Sequence, residues 1–274
     1  MQNKKLLNIV FWGEDAFSNI ILNSLLEAGH VVSLVVTPHY DNVIYKKLEF
    51  TCNKYNINHI RPHKVNSQEV IDAVDNVKPD LCVISHFERL IKEPLLSIPK
   101  MGFVNLHPSL LPDYRGMAPQ HWPIINGEKE AGITVHYVDE GTDTGDIIVQ
   151  RKIVLTDDMY VSDLQKVWME HYKTIMVEAI DNIINGKPTI VQRHLPGRYY
   201  GKLKEEQCHI NPEGSVREAY NLVRGVSLPY FGARYDKTII YRAHIIKEEE
   251  NVSKKPVLSF YDGKLVLEQY KEII

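Results

Sequence analysis

The sequence predicts an α/β fold: a mostly parallel, doubly wound sheet followed by a smaller β-rich C-terminal domain. Three observations predict it. Short apolar runs alternate with amphipathic stretches from Leu6 to Leu106, the pattern of strands joined by crossover helices. The runs at 6–12, 31–36 and 80–85 are apolar almost throughout, as strands buried on both faces must be. From Gly232 onward the pattern becomes a period-two alternation, and Asp262-Gly263 supplies a hairpin turn.

The elements follow in order. Leu6–Trp12 reads as a buried first strand. Asp15–Ala28 reads as a helix with Phe17, Ile20, Ile21, Ser24 and Leu25 on one face and Gly29 as its stop. Val31–Val36 is a second strand, 43–55 a helix, and Ser67–Val77 a helix capped by Ser67. Asp80–Ser85 is a strand, 92–97 a short helix, and Gly102–Leu106 the next strand. Beyond it, 118–126 reads as helical, 133–138 and 147–155 as strands, and 160–184 as a long helix broken by Asn185-Gly186-Lys187-Pro188. The stretch 186–212, with Pro196, Gly197 and Gly201, reads as a linker, so the expected domains are 1–195 and 196–274. Ser215–Val223 is a short helix, and strands at 257–261 and 264–270 flank the hairpin turn.

Composition narrows the function. The 274 residues are 44% hydrophobic, which supports a packed core and argues against disorder. The formal charge of −3 lacks the basic surplus of a nonspecific nucleic-acid binder. Cys52, Cys82 and Cys208 are far apart and odd in number, so they indicate neither a disulfide framework nor a zinc site. No His/Asp cluster has metal-ligand spacing, and no metal is expected. Met1–Lys5 precedes too short an apolar run for a signal peptide, and no apolar stretch is long enough to span a bilayer, so a cytoplasmic location without membrane partners is expected.

Two stretches carry the chemistry. Phe103–Gly116 reads Phe-Val-Asn-Leu-His-Pro-Ser-Leu-Leu-Pro-Asp-Tyr-Arg-Gly. Asn105 and His107 are two residues apart at a strand's carboxyl end, so both side chains take one face, and Pro108 ends the strand. That end is where an open α/β sheet builds its site. The second stretch, His136–Asp146, holds Asp143 among the glycines of a tight loop. His136 falls inside a strand and reads as a packed histidine rather than a catalytic one. Trp12-Gly13 lacks the full Gly-x-Gly-x-x-Gly of a dinucleotide cradle.

In this order the two motifs resemble the folate-dependent formyltransferases: methionyl-tRNA formyltransferase, glycinamide ribonucleotide formyltransferase and the sugar N-formyltransferases. The resemblance covers about residues 5–195, with a weaker echo at 222–233, and implies a Rossmann-like catalytic domain. It implies that Asn105, His107 and Asp143 are catalytic, with 10-formyltetrahydrofolate as co-substrate. Asn105 would donate to the oxyanion, His107 would take the amine proton or hold the intermediate, and Asp143 would orient His107. Either His107 or Asp143 remains open as the formal base. The folate would lie against His86, Phe87, Glu88, Arg89, Leu90 and Ile91 on one side. Val138, Asp139, Glu140, Gly141 and Thr142 would close the other. Phe87, Leu90 and Ile91 read equally well as core.

The acceptor is the harder question. The tail 196–274 holds 13 Lys/Arg against 11 Asp/Glu, a balance that gives little counterion-release drive toward a polyanion. The resemblance therefore points to a nucleotide-linked amino sugar, specifically a dTDP-linked amino-dideoxyhexose whose product feeds surface polysaccharides such as lipopolysaccharide. Its binding residues would include Trp12, Gly13, Tyr114, Arg115, Gly116, Tyr200 and Tyr230. Arg115 and Arg89 could neutralise a diphosphate or sit in surface ion pairs. Exposed hairpin edges suggest a homodimer. The alternatives are methionyl-tRNA formylation and a non-catalytic folate or sugar-nucleotide sensor.

Overall fold

The computed structural model describes residues 5–39, 46–192, 194–246 and 255–273. The first part of the expected helix 43–55 and the segment 247–254 lie outside the described residues. The chain forms two compact units. One comprises Met1–Pro112, Ile133–Arg151 and Trp168–Pro196; the other comprises Asp113–Gly132, Lys152–Val167 and Gly197–Ile274.

The elements run β1 (Asn8–Gly13), α1 (Ala16–Glu27), β2 (Val31–Val36), α2 (Lys46–Tyr55), β3 (Asn58–Ile60), α3 (Gln68–Val77), β4 (Leu81–Ser85) and β5 (Phe103–His107). There follow β6 (Arg115–Gly116), α4 (Trp122–Ile125), β7 (Glu130–Tyr137), β8 (Ile147–Val154) and α5 (Val161–Ile184). The remainder is β9 (Tyr199–Tyr200), α6 (Val216–Val226), β10 (Ala233–Tyr235), β11 (Thr238–Ile246), β12 (Val257–Phe260) and β13 (Gly263–Glu272).

The central sheet has the order β3-β2-β1-β4-β5-β7-β8. Its first five strands are parallel, and β7 reverses direction against β5. The fold is thus mostly parallel and Rossmann-like, as the apolar runs predict. The parallel strands are buried on both faces, with Ile9, Val10, Phe11 and Trp12 wholly inaccessible. One face packs Val10, Trp12, Leu34, Cys82, Ile84 and Phe103 against Val70 and Val74 of α3. Each such side chain contributes roughly 1.5–3 kcal/mol on burial.

Asp15 caps α1 by accepting from the Ser18 backbone N–H at 2.8 Å. Ser18 Oγ then donates to the Ser85 carbonyl at 2.7 Å, which ties the start of α1 to the end of β4. Two expected helices contract. The short helix near 92–97 is a single tight turn over Leu95–Ser97, behind Pro94. The expected helix 118–126 forms only at Trp122–Ile125, because Ala118 adopts φ 58° and Pro119 and Pro123 carry no donor.

In the second unit an antiparallel sheet, β10-β11-β13-β12, has the expected hairpin, but its two-residue turn is Tyr261-Asp262, one residue earlier than the sequence suggests, because Gly263 already pairs with Phe260 in the ladder. α6 covers it, capped by Ser215 and Glu218, and its apolar face joins Tyr160, Cys208, Val223, Ile240 and Leu265. Gly225 lets α6 approach α4, since a Cβ there would meet Ile125. The stretch expected as a plain linker contains β9, which pairs with β6. The three cysteines are free and buried. Burial pushes the thiols of Cys52 and Cys208 up to about 12 and about 11, so both stay protonated and act as packing. Among the described residues, no helix is long and apolar enough to cross a membrane.

Candidate active site

Asn105 and His107 sit on β5 with their side chains on one face. The antiparallel register sets Asn105 opposite His136 and His107 opposite Thr134. Asp143 is delivered by the loop between β7 and β8. Its backbone is left-handed, with φ 54°, a conformation that asparagine and aspartate tolerate better than other side chains. That loop is tightly folded. Asp139 Oδ1 accepts from the Gly141 N–H at 3.0 Å and from Thr144 Oγ1 at 2.6 Å. Gly145 lies so close to β7 that a Cβ would overlap the Tyr137 carbonyl.

Asn105, His107, Asp143 and also His136 therefore converge. Asn105 Nδ2 donates toward Asp143 Oδ1 at 3.4 Å and lies 3.3 Å from His136 Nε2. His107 Nδ1 is 3.6 Å from Asp143 Oδ2, and His136 Nε2 is 3.5 Å from Asp143 Oδ1. These last two are electrostatic contacts, longer than a good hydrogen bond. The side chains are only 6% (His107), 12% (Asp143) and 2% (His136) exposed, so a charge that develops among them is weakly screened. His136 Nδ1 lies 2.7 Å from the Tyr137 carbonyl, which can only accept, so Nδ1 carries the hydrogen and Nε2 faces Asn105 and Asp143. An amide, a carboxylate and two imidazoles around one point can donate to a developing oxyanion and move a proton.

The segment 86–91 follows β4. His86 has φ 48°, stacks on Phe17, and is held at both ring nitrogens. Its Nε2 lies 2.9 Å from the Tyr172 hydroxyl, and its Nδ1 lies 3.4 Å from Asp15 Oδ2. Burial raises the Asp15 carboxyl, but His86 and the Ser18 hydrogen bonds outweigh it and leave it below the usual range. The Glu88 N–H donates to the buried Glu14 carboxylate, and Asn66 Nδ2 donates to the Leu90 carbonyl at 2.9 Å. Ile91 belongs to the apolar cluster against which both Phe87 and Val138 pack. Glu88, Arg89 and Leu90 are exposed, as are Glu140, Gly141 and Thr142. Trp12 is a fully buried core residue whose ring meets Phe87 edge-on at 5.6 Å; Gly13 ends β1 beside Ser18.

The other expected acceptor residues lie in the second unit. The Tyr114 ring stacks on Tyr200 at 5.0 Å, and its hydroxyl donates to Glu128 at 2.6 Å. Asn126 donates to the hydroxyl of Tyr200 at 2.9 Å, and Trp122 stands 4.9 Å from the same ring. Gly116 pairs with Tyr200 in the β6–β9 ladder. Arg115 is buried, with its guanidinium 5.8 Å from the Tyr199 ring. Tyr230 meets the edge of His121 at 4.3 Å, and its hydroxyl accepts from Gln165.

Sequence reasoning set His136 aside and passed over two glutamines. Gln150 donates to the Leu111 carbonyl at 2.8 Å and to Thr134 Oγ1 at 2.9 Å, fastening the loop after His107. Gln192 donates to carbonyls of the Asp143 loop. The one available signal for His136 was its alignment opposite Asn105 once β5 and β7 are paired antiparallel.

Residues 4–180 match the sequence pattern described as formyl transferase. The chain is 33% identical to the methionyl-tRNA formyltransferase of Pelotomaculum thermopropionicum, over 91% of this chain and 82% of that protein. It is 32% identical to the corresponding protein of Clostridioides difficile, over 96% and 91%. Among solved structures, an N-formyltransferase from Helicobacter canadensis, in complex with folinic acid and dTDP-3-aminofucose, superposes with a TM-score of 0.78 at 21% identity, covering 97% of this chain and all of that one. Glycinamide ribonucleotide transformylase 1 from Symbiobacterium toebii superposes with a TM-score of 0.57 at 28% identity, over 67% and 90%. The chain belongs to the formyl transferase family.

Proposed function

We propose that the protein transfers a formyl group from 10-formyltetrahydrofolate to the amine of a dTDP-linked amino-dideoxyhexose. The observation that carries this reading is the end-to-end match in fold, 97% of this chain on 100% of it, with a protein crystallised with folinic acid and dTDP-3-aminofucose. The near balance of charge in 196–274 supports the same acceptor class over a polyanion.

The residues suit the folate. Phe87 and Val138, both half-buried against the core, are proposed to supply apolar surface for a flat ring system. When bound, 10-formyltetrahydrofolate supplies the migrating formyl carbon. Asn105 Nδ2 donates to the oxygen on that carbon. His107 or Asp143 would receive the proton that the acceptor amine loses as its nitrogen bonds to the formyl carbon, and would return it to the folate nitrogen as that nitrogen's bond to the same carbon breaks. Where His107 takes that proton, Asp143, near both imidazoles, would orient the ring. In the second unit, Tyr114, Arg115, Gly116, Tyr200 and Tyr230 are proposed to face the sugar nucleotide. A homodimer and a role in surface polysaccharide assembly belong to the same reading.

The test is a panel of nucleotide-linked amino sugars incubated with 10-formyltetrahydrofolate and analysed by mass for replacement of one amine hydrogen by a formyl group. Formylation of a dTDP-amino sugar is expected; none on any panel member removes the proposal. A second reading, formylation of methionyl-tRNA, is favoured by the 33% identity over most of the chain. Tight binding of initiator tRNA that weakens steeply with salt would support it.

A further inference from the structure

Gln192 lies where the chain returns from α5 past the start of β8. Ile190 and Ile147 exchange both backbone hydrogen bonds at 2.9 Å, which fixes the path of this segment two residues before Gln192. The Gln192 side chain is wholly buried. Its Nε2 donates to the carbonyl of Asp143 at 3.1 Å and to that of Gly145 at 2.7 Å. One amide thus grips the backbone of the residue that presents the carboxylate and of the glycine folded against β7.

The loop needs such a grip. Asp143 holds a left-handed backbone, which persists only where surroundings impose it. Asp139 secures the Gly141 and Thr144 limb through its carboxylate, and Gln192 secures the Asp143 and Gly145 limb. No other side chain type of this size offers two N–H donors and no net charge at a fully buried site. A change there would release one buried and one part-buried carbonyl from their donor while leaving β5, and so Asn105 and His107, in place.

We infer that Gln192 is a positioning residue that sets the Asp143 carboxylate against His107, His136 and Asn105. The inference rests on the reading that Asp143 takes part in formyl transfer.

Two measurements test it. Q192M fills the same volume without donors. Its amides at 140–146 should exchange hydrogen at least ~10-fold faster than in the parent, with those of 103–107 unchanged. With 10-formyltetrahydrofolate and the acceptor identified by the panel, kcat should fall about 30-fold or more, with the acceptor KM within about threefold. The loss should shrink to under about threefold when Q192M is added to D143N, because both variants then act on one carboxylate. Unchanged loop exchange overturns the inference, and so does an equal loss in both backgrounds. Full turnover by D143N sinks the catalytic reading instead, and the exchange result then decides the positioning claim alone. If Q192M does not fold, Q192N, whose donors fall one methylene short, takes its place with the same expected outcomes.

Discussion

His136 Nε2 stands 3.5 Å from Asp143 Oδ1, on a ring that is 2% exposed and whose other nitrogen is committed to the Tyr137 carbonyl. The ring cannot turn without losing that bond, so Nε2 stays aimed at Asp143 and Asn105. Replacing it with glutamine keeps a polar side chain but not this geometry. H136Q is expected to lower kcat about 10-fold with little change in acceptor KM, since small misplacement of a reacting group is costly. Steady-state kinetics with the folate donor check this, and wild-type kcat in H136Q would return His136 to a packing role.

The residues proposed to act directly should show a larger effect. N105A removes the donor to the developing oxyanion, H107A removes an imidazole, and D143N removes the charge beside both rings. Each is expected to reduce turnover by at least ~10²-fold. Sugar-nucleotide affinity, measured by calorimetry, should change little. Retention of wild-type turnover in both H107A and D143N would remove the mechanism.

Part of this site was legible because strand geometry is local. A two-residue spacing followed by proline puts Asn105 and His107 on one face of a strand end, and the structure has them there. The hairpin near Asp262 was legible for the same reason, although its turn closes one residue earlier than Asp262-Gly263, at Tyr261-Asp262. What could not be read depends on register and return paths. His136 meets Asn105 only because β7 runs antiparallel to β5, across 31 residues of sequence. Gln192 reaches Asp143 from 49 residues away, out of a segment whose composition reads as linker. The contraction of the helix expected at 118–126 was readable in principle, since Pro119 and Pro123 both weaken it; the left-handed Ala118 was not.

Gly145 should be intolerant of any side chain. A Cβ there would overlap the Tyr137 carbonyl, and β7 cannot yield because it is paired with β5. The loop must move instead, carrying Asp143 with it. G145A is expected to cut kcat by about 10²-fold while the denaturation midpoint shifts less than a core truncation would shift it, because the clash is relieved by moving the loop and leaves the β5–β7 pairing intact. Parallel kinetic and urea-melt measurements distinguish this from global unfolding. An active, equally stable G145A would show that the carboxylate tolerates displacement.

Stability should also depend on pH through His121. Its ring is 3% exposed, Nδ1 donates to the Gly225 carbonyl at 2.7 Å, and Nε2 lies 3.2 Å from the Gln120 amide. Burial lowers its pKa from 6.5 to about 4, partly offset by the Gly225 bond. Between those values the unfolded chain binds a proton that the folded chain refuses. Stability is therefore full above about pH 6.5 and declines as pH falls toward about 4, by roughly 3 kcal/mol in all. Urea melts across this range should show the decline. H121L should show a shallower one, at a lower absolute stability, because it no longer caps the Gly225 carbonyl. Identical slopes for the two proteins would mean that His121 is not the group that titrates.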